Sequence, residues 1–389
     1  MARRDVMHGS RAVAEGVKLC DVKVIPAYPI TPQTHIVEDL AKFVADGELD
    51  CEYIMVESEH SAMSAAIGAS ATGARTFTAT ASQGLALMHE MLFIASGMRL
   101  PIVMVNANRA LSAPINIWND QGDSIAQRDA GWIQMYVETN QEALDTTIQA
   151  YKISENPDVQ LPTMVCMDGF VLTHTVEPVE IPDKEDVDKF LPPYKPVVYL
   201  DPTDPMTQGA FADPSTFTEF RYAQEEAMRN ALEVIKEVDE EYKNLTGRGY
   251  GIIEEYNTKD ADIVLVSLGS VIGTIKEVVD ELKEDFSVGI LKIKLFRPFP
   301  EKEILAALKN AKVVSVIEKD VSIGMGQGAL YNEIKAALYN SDIRPKTLGF
   351  VAGLGGRDIT LDNIEEIISL SQTAIVQDVP EITWVGLKG

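Results

Sequence analysis

The stretch Tyr28-Pro-Ile-Thr-Pro-Gln-Thr34 follows an apolar segment, 22–27, whose composition is typical of a buried strand. Prolines on both sides of Thr31 restrict the backbone, so the threonine hydroxyl is expected to be held at a fixed point. A stiff loop directly after a strand is where α/β proteins place ligand contacts. On this local pattern alone, a binding loop and a simple turn before a predicted helix at 35–46 are equally good interpretations.

Three other predicted strands also end in polar residues. Strand 52–56 leads into Glu57-Ser-Glu59, which opens a helix reaching about residue 72; strand 75–80 leads into Ala81-Ser-Gln-Gly84; and strand 101–106 leads into Ala107-Asn-Arg109. The serine and glycine of the second segment suit a helix N-cap and a close approach to a ligand. Because parallel strands end at one edge of a sheet, we expect these segments and Thr31 to converge on one crevice.

The net charge of the chain is −25, with 59 acidic and 34 basic residues. This balance argues against a nucleic-acid-binding protein, because phosphate contacts need clustered Lys and Arg. An acidic surface is interpreted first as an aid to solubility, and a docking face for a basic partner is the less favoured alternative. The sequence shows neither a signal peptide nor an apolar run long enough for a membrane span, so we expect a cytoplasmic protein with no membrane contact.

Cysteine and histidine are few and scattered. The three cysteines, Cys20, Cys51 and Cys166, form no Cys-x-x-Cys pair, and the five histidines lack the spacings of common metal sites. We therefore expect the chain alone to hold no disulfide framework, no iron–sulfur cluster and no metal site.

The predicted elements divide into two α/β domains with parallel sheets, each expected to have its own core. We place the first domain at 1–177 and a linker region at 178–250, because eight of the nineteen prolines lie between 178 and 214. An amphipathic helix at 217–243 follows, and its predicted buried side comprises Phe220, Ala227, Ala231, Val234, Ile235 and Val238. In the second domain, 251–389, strands at 263–267, 288–293, 312–317 and 346–351 alternate with helices at 271–283, 301–309, 327–340 and 362–371.

Two glycine-rich segments resemble nucleotide-binding motifs. Gly324-Met-Gly-Gln-Gly328 opens a predicted helix, but it lacks the last glycine of a dinucleotide fingerprint and the acidic residue about 20 positions later. A tight turn is therefore favoured over a site for NAD. Gly353-Leu-Gly-Gly356 is interpreted as a loop at an interface.

Four segments taken together resemble the α subunit of the 2-oxoacid:ferredoxin oxidoreductase family. They are Tyr28-Pro-Ile-Thr-Pro32, Glu57-Ser-Glu-His60, Thr78-Ala-Thr-Ala-Ser-Gln-Gly-Leu85 and Asn108-Arg-Ala-Leu-Ser112. The loop Trp118-Asn-Asp-Gln-Gly-Asp-Ser124, with Gln127-Arg-Asp129, is similar to the pyruvate-specific branch with several subunits. Residues 10–175 resemble the family's pyrimidine-type thiamine-diphosphate domain, and 251–370 its transketolase C-terminal-like domain.

The resemblance implies a subunit that oxidatively decarboxylates pyruvate with coenzyme A to acetyl-CoA and CO2, with electrons passed to ferredoxin, or that catalyses the reverse synthesis. It implies a shared thiamine diphosphate site in which Glu59 is the catalytic carboxyl beside the aminopyrimidine, and Thr31 and Arg109 bind the substrate. The other cofactor contacts that it implies are Pro29, Ser82 and Gln83.

The family also implies partner chains. It places the diphosphate and Mg²⁺ mainly on a β subunit and the [4Fe-4S] clusters on partner subunits, so β, γ and δ subunits are expected, with none of the clusters on this chain. A sister enzyme acting on 2-oxoglutarate, 2-oxoisovalerate or oxalate is the alternative, and a non-catalytic scaffold or nucleotide-binding module is a more remote one. Gln121 lies where related chains often carry a histidine, which leaves the role of this position open.

Overall fold

The structure is a computed structural model, and it describes residues 3–283 and 286–388. The first half of the chain alternates short buried strands with helices. Its elements are β1 (Arg3–His8), α1 (Gly9–Leu19), β2 (Val24–Ala27), α2 (Thr34–Ala45), β3 (Glu52–Met55), α3 (Glu59–Ala71), β4 (Phe77–Thr80), α4 (Ser82–Leu87), α5 (His89–Gly97), β5 (Val103–Asn108), α6 (Gly122–Ile125), β6 (Ile133–Tyr136), α7 (Asn140–Ser154), β7 (Thr163–Asp168), α8 (Val171–His174), β8 (Val176–Ile181) and α9 (Lys184–Phe190).

The second half begins with a long helix and then alternates in the same way. Its elements are α10 (Phe217–Thr246), β9 (Ile253–Tyr256), β10 (Ile263–Ser267), α11 (Val271–Leu282), β11 (Val288–Ile293), β12 (Leu295–Arg297), α12 (Glu301–Ala307), β13 (Val313–Glu318), α13 (Ala329–Tyr339), β14 (Lys346–Val351), a 3₁₀ turn (Leu354–Gly356), α14 (Leu361–Ala374) and β15 (Ile382–Trp384). Among the described helices, none is long and apolar enough to cross a membrane.

Two larger sheets organise these elements. The first sheet has the order β12-β6-β7-β5-β4, and the short parallel pair β2-β3 continues it through a single bridge between Val24 and Thr76. The second sheet has the order β15-β14-β13-β10-β11-β9. Both sheets are parallel apart from the edge strands β12 and β9, which run antiparallel to their neighbours. The predicted α/β class with two parallel sheets is therefore confirmed.

The central strands are buried on both faces, which explains why the sequence shows them as continuous apolar runs. Each half has a hydrophobic cluster largely of its own, as predicted, but a third cluster is shared between the two sheets. One hydrophobic cluster contains Met104 and Tyr136 of the first sheet together with Val264 and Leu291 of the second. In this shared cluster, apolar side chains of both halves pack against one another, in addition to the core that the second half forms alone.

The region after residue 176 also differs from the extended linker that its prolines suggest. Strand β8 pairs antiparallel with β1, and helix α9 buries Val187 and Phe190 in the core. On the following helix α10, the predicted face is buried except for Phe220, which is 54% exposed, because the first two turns of the helix extend beyond the core. Sequence periodicity does not show where packing partners along a helix end.

A buried ion pair connects the segment just before strand β4 to the C-terminal end of helix α7. The guanidinium of Arg75 donates to both carboxylate oxygens of Glu155, at 2.6 and 2.8 Å, and also to the carbonyls of Cys20 and Pro192. Both side chains are almost fully buried. If the Arg75 guanidinium were removed, the Glu155 carboxylate would be a buried negative charge without a cation beside it.

We expect Arg75→Met to lower the free energy of unfolding by about 3–5 kcal/mol, because it leaves the Glu155 charge buried without compensation. Urea-induced unfolding followed by circular dichroism measures this change. The matched control is Arg4→Met, since Arg4 pairs with Glu180 while its side chain is 86% exposed. A similar loss of unfolding free energy in both variants would show that the buried ion pair stabilises the fold no more than the exposed pair does.

Candidate functional site

The ends of five strands meet at one edge of the first sheet and of the β2-β3 pair that continues it. The register places Thr80 of β4 beside Asn106 of β5, and Asn108 beside Asp168 of β7. Strands β2 and β3 end beside one another at Ala27 and Met55. The polar segments that follow these strands therefore share this edge, as predicted, and we call it the strand-end edge.

The proline loop after β2 is fixed by Gln33 as well as by its prolines. The Gln33 side chain accepts a hydrogen bond from the Ile30 amide at 3.1 Å and donates to the Ala79 carbonyl of β4 at 2.8 Å. Thr31 precedes Pro32 through a cis peptide bond and is exposed, and its hydroxyl has no partner among the described residues. Gln33 is fully buried, and nothing in the local sequence pattern indicates its function.

Arg109 lies against this loop. Its Nη1 donates to the Thr31 carbonyl at 2.9 Å, and its Nε donates to the Asn116 carbonyl at 2.9 Å. The residue is only 8% exposed, and no carboxylate of the described chain lies within ion-pair distance of it. Burial lowers the pKa of the guanidinium, although Asp123 opposes this effect. An arginine with no protein counter-ion and with unused N–H groups can accept an anion.

Ser82 joins the next strand end to the Arg109 segment. Its hydroxyl donates to the Ala110 carbonyl and lies close to the side-chain oxygen of Gln83. The prediction that Ser82 is a helix N-cap is therefore wrong. Ala81 is the N-cap residue of α4, and the Ser82 hydroxyl joins two loops instead. The backbone of Ser82 has a positive φ of 51°, a conformation that residues other than glycine seldom adopt.

Glu59 begins helix α3, whose N-cap is Ser58. The carboxyl is 7% exposed and has no hydrogen bond or ion pair to the rest of the described chain. It packs against Gly84, where an added Cβ would lie 2.6 Å from Glu59 Oε1 and 2.5 Å from Thr80 Oγ1. The N-terminal position in the helix favours a negative charge. Pro29, in contrast, is exposed and takes no part in these hydrogen bonds.

Asp123 joins these segments, and the sequence interpretation missed it as an individual residue. Its buried carboxylate accepts from the amides of Ser82 and Arg109 and from the side chains of Asn106 and Asn108. Burial raises the pKa of Asp123 to about 6, and these donors limit the increase. The carboxylate thus holds together two loops that carry predicted site residues.

A second buried carboxylate, Asp168, gives Gln121 a structural explanation. Asp168 accepts from Gln121 and Asn119 of the loop at 2.9 and 3.0 Å, and from Lys319 and Ser270 of the second sheet. Burial alone would raise the pKa of Asp168, but Lys319 and Ser270 outweigh it and lower the pKa to about 2. Gln121 therefore takes part in the joint between the two sheets.

The two glycine-rich segments have separate functions in the structure. At the start of α13, the amides of Leu330 and Tyr331 donate to Glu318, and that of Ala329 donates to Asp320. These carboxyl groups occupy the donors that a dinucleotide phosphate would need. Loop 353–356 contacts the loop that contains Trp118. It therefore lies at the interface between the two halves of the chain.

The strand-end edge thus combines a buried carboxyl group without a cation and a buried guanidinium without an anion. Such an arrangement can bind an anionic substrate and hold a proton beside a ligand nitrogen. In the part of the chain that the structure describes, no three His, Cys, Asp or Glu residues are placed to hold a metal ion.

Two family models match the chain. The first, described as pyruvate flavodoxin/ferredoxin oxidoreductase, thiamine diphosphate-binding, matches residues 15–240. The second, pyruvate:ferredoxin oxidoreductase core domain II, matches residues 261–364.

Full-length relatives agree with these models. Pyruvate synthase subunit PorA of Methanocaldococcus jannaschii is 59% identical over 392 residues, with 100% of this chain and 99% of that one covered. Ketoisovalerate oxidoreductase subunit VorA of Pyrococcus horikoshii is 47% identical, with 99% and 98% covered.

The fold is similar to that of 2-oxoglutarate:ferredoxin oxidoreductase from Magnetococcus marinus, solved with 2-oxoglutarate, coenzyme A and succinyl-CoA bound. The TM-score is 0.73 at 22% identity, and the match covers 94% of this chain and 65% of that one. The resemblance inferred from the motifs is confirmed by these matches, and the chain belongs to the pyruvate flavodoxin/ferredoxin oxidoreductase family.

Proposed function

We propose that the chain is the α subunit of a pyruvate:ferredoxin oxidoreductase. The complex would convert pyruvate and coenzyme A to acetyl-CoA and CO2, with electrons passed to ferredoxin, or would catalyse the reverse synthesis. The observation that carries this proposal is the pair of uncompensated charged groups at the strand-end edge, Glu59 and Arg109, with the free Thr31 hydroxyl beside the arginine. The domain limits 1–177, 178–250 and 251–389 are part of the same proposal.

The residues at Glu59 fit the aminopyrimidine ring of thiamine diphosphate. A buried carboxyl with no protein partner is suited to a hydrogen bond with the ring nitrogen N1′, and the absence of a side chain at Gly84 lets this carboxyl lie close against the backbone. When bound, this cofactor supplies a carbon nucleophile for the carbonyl group of a 2-oxoacid. Glu59 would hold the proton at N1′, while Ser82, Gln83 and Pro29 would line the cofactor side.

Arg109 and Thr31 are proposed to bind the substrate. The guanidinium would bind the substrate carboxylate through N–H groups that the protein leaves unused, and the threonine hydroxyl would donate to the oxoacid. The low exposure of Arg109 strengthens such an interaction, because water competes less in a buried site. This pair accounts for recognition of the group that all 2-oxoacids share.

The site requires other chains. This chain has three cysteines, all free and two of them buried, so we propose that the [4Fe-4S] clusters lie on partner subunits. We propose that a β subunit holds the diphosphate and Mg²⁺, and that γ and δ subunits complete the complex that reduces ferredoxin. The subunit names of the full-length relatives support an assembly of this kind.

Among 2-oxoacids, pyruvate is supported by the higher identity to PorA, 59% against 47% to VorA. The VorA relative makes 2-oxoisovalerate the second candidate. Viologen reduction by the purified complex, with coenzyme A and with each oxoacid in turn, compares the two. Turnover with 2-oxoisovalerate or 2-oxoglutarate but not with pyruvate would reject the substrate proposed here.

We expect Glu59→Gln in the assembled complex to lower kcat by roughly 10²–10⁴-fold, the usual contribution of a positioned acid–base group. The measurement is viologen reduction dependent on pyruvate and coenzyme A. Glu57→Gln is the matched control, because Glu57 lies two positions earlier but is exposed. Full turnover by Glu59→Gln would remove the catalytic role from this carboxyl.

We expect Arg109→Met to raise the KM for pyruvate by about 10–100-fold, because it removes a charge-assisted hydrogen bond worth roughly 1.5–3 kcal/mol. The KM for coenzyme A should stay within about twofold of that of the unaltered complex. Arg229→Met serves as the control, since Arg229 is exposed and forms its ion pair with Glu225 of its own helix. An unchanged KM for pyruvate in Arg109→Met would contradict carboxylate binding at this position.

A further inference from the structure

Loop 353–356 of the second half follows β14 and reaches the segment that comes after Arg109 in the first half. Gly353, Gly355 and Gly356 all have positive φ angles, between 63° and 80°. A Cβ on Gly355 would lie 2.6 Å from Asn116 Nδ2, and one on Gly356 would lie 2.3 Å from Trp118 Cβ. The backbone conformation and the close approach both require glycine at these two positions.

Asn116 is the residue on which this contact centres. Its side-chain Nδ2 donates to the Gly355 carbonyl at 3.0 Å, and its Oδ1 accepts from the Trp118 amide at 2.7 Å. Its own carbonyl accepts from Arg109 Nε at 2.9 Å. One residue therefore links the second-half loop directly to the guanidinium.

Neighbouring hydrogen bonds support the same link. The Gly355 amide donates to the Asp120 carboxylate at 3.2 Å, and the Gln121 amide donates to the Lys319 carbonyl at 2.9 Å. Residues 111–115, which connect Arg109 to Asn116, are exposed. Within the first half, the Ala110 amide donates to the Trp118 carbonyl at 3.1 Å. The loop is therefore held from both halves, and the Asn116 side chain supplies its direct hydrogen bond to loop 353–356.

The bond to Arg109 Nε sets the direction of the guanidinium. An arginine side chain has several freely rotating bonds, so an unanchored guanidinium samples many orientations. Here Nε and Nη1 each donate to a carbonyl, and Nη2 has no partner among the described residues. The Nη2 amino group keeps both of its N–H donors available for an anionic ligand.

We propose that Asn116 is a positioning residue for 2-oxoacid binding, and that through it loop 353–356 of the second half orients Arg109. This inference rests on the function proposed above, because it takes Arg109 as the group that binds the substrate carboxylate. It assigns the second half of the chain a part in substrate recognition without direct contact with the substrate.

The test compares variants in the assembled complex by viologen reduction. We expect Asn116→Ala to raise the KM for pyruvate roughly tenfold, with kcat and the KM for coenzyme A within about twofold. Gly355→Ala, which leaves Asn116 in place, should raise the same KM. Gly326→Ala is its matched control: Gly326 also has a positive φ, of 76°, but an added Cβ there meets nothing within 4 Å.

A double-mutant cycle separates positioning from a general structural effect. If Asn116 acts through Arg109, adding Asn116→Ala to Arg109→Lys should change the KM for pyruvate by less than about twofold. A full tenfold further increase in that background, or an unchanged KM in Asn116→Ala alone, would overturn the inference while the proposed function stands. A complex that shows no pyruvate-dependent turnover even before substitution would reject the proposed function, and this inference with it.

Discussion

The Asp168 carboxylate is buried where the two halves of the chain meet, and a carboxylate in such a place is stable only with several donors. It receives them from both sides, from Asn119 and Gln121 and from Ser270 and Lys319. The cost of leaving this charge unpaired therefore opposes any separation of the two sheets. The loop that carries Asn119 and Gln121 is held by the same requirement, and the site depends on that loop.

The two charged groups of the proposed site, in contrast to Asp168, have no partner of opposite charge in the described chain. In much of the described chain, buried charges are paired with an opposite charge, as in Arg75 with Glu155 and Lys292 with Glu142. Buried carboxyl groups that lack a cation, such as Asp123 and Glu318, accept hydrogen bonds from amide groups instead. At the strand-end edge, Glu59 and Arg109 are buried and remain unmatched. Proteins leave charged groups in this state mainly where a ligand completes the pairing. The contrast within one molecule supports the binding site proposed at this edge more strongly than any single residue does.

The sequence predicted strands such as β4, β5, β10 and β13 because buried parallel strands leave apolar runs with abrupt limits. It did not predict the short buried strand β6 or the antiparallel edge strands β9 and β12. The contacts of Gln33, Asn116 and Gln121 could not be predicted, since an amide side chain shows no periodicity and its partners lie far along the chain. The shared core was missed for a similar reason: apolar residues indicate burial without indicating which surface covers them. Convergence of the strand ends, in contrast, follows from topology alone.

Strand β12 has a consequence for how the chain is made. It belongs to the second half, yet it pairs with β6 and covers that edge of the first sheet, with Leu295 beside Met135. During synthesis, β6 leaves the ribosome before β12 has been translated. The backbone N–H and C=O groups on the side of β6 that later pairs with β12 therefore remain unpaired during this time. A nascent chain of this kind is exposed to wrong strand pairing until about three quarters of it has been translated.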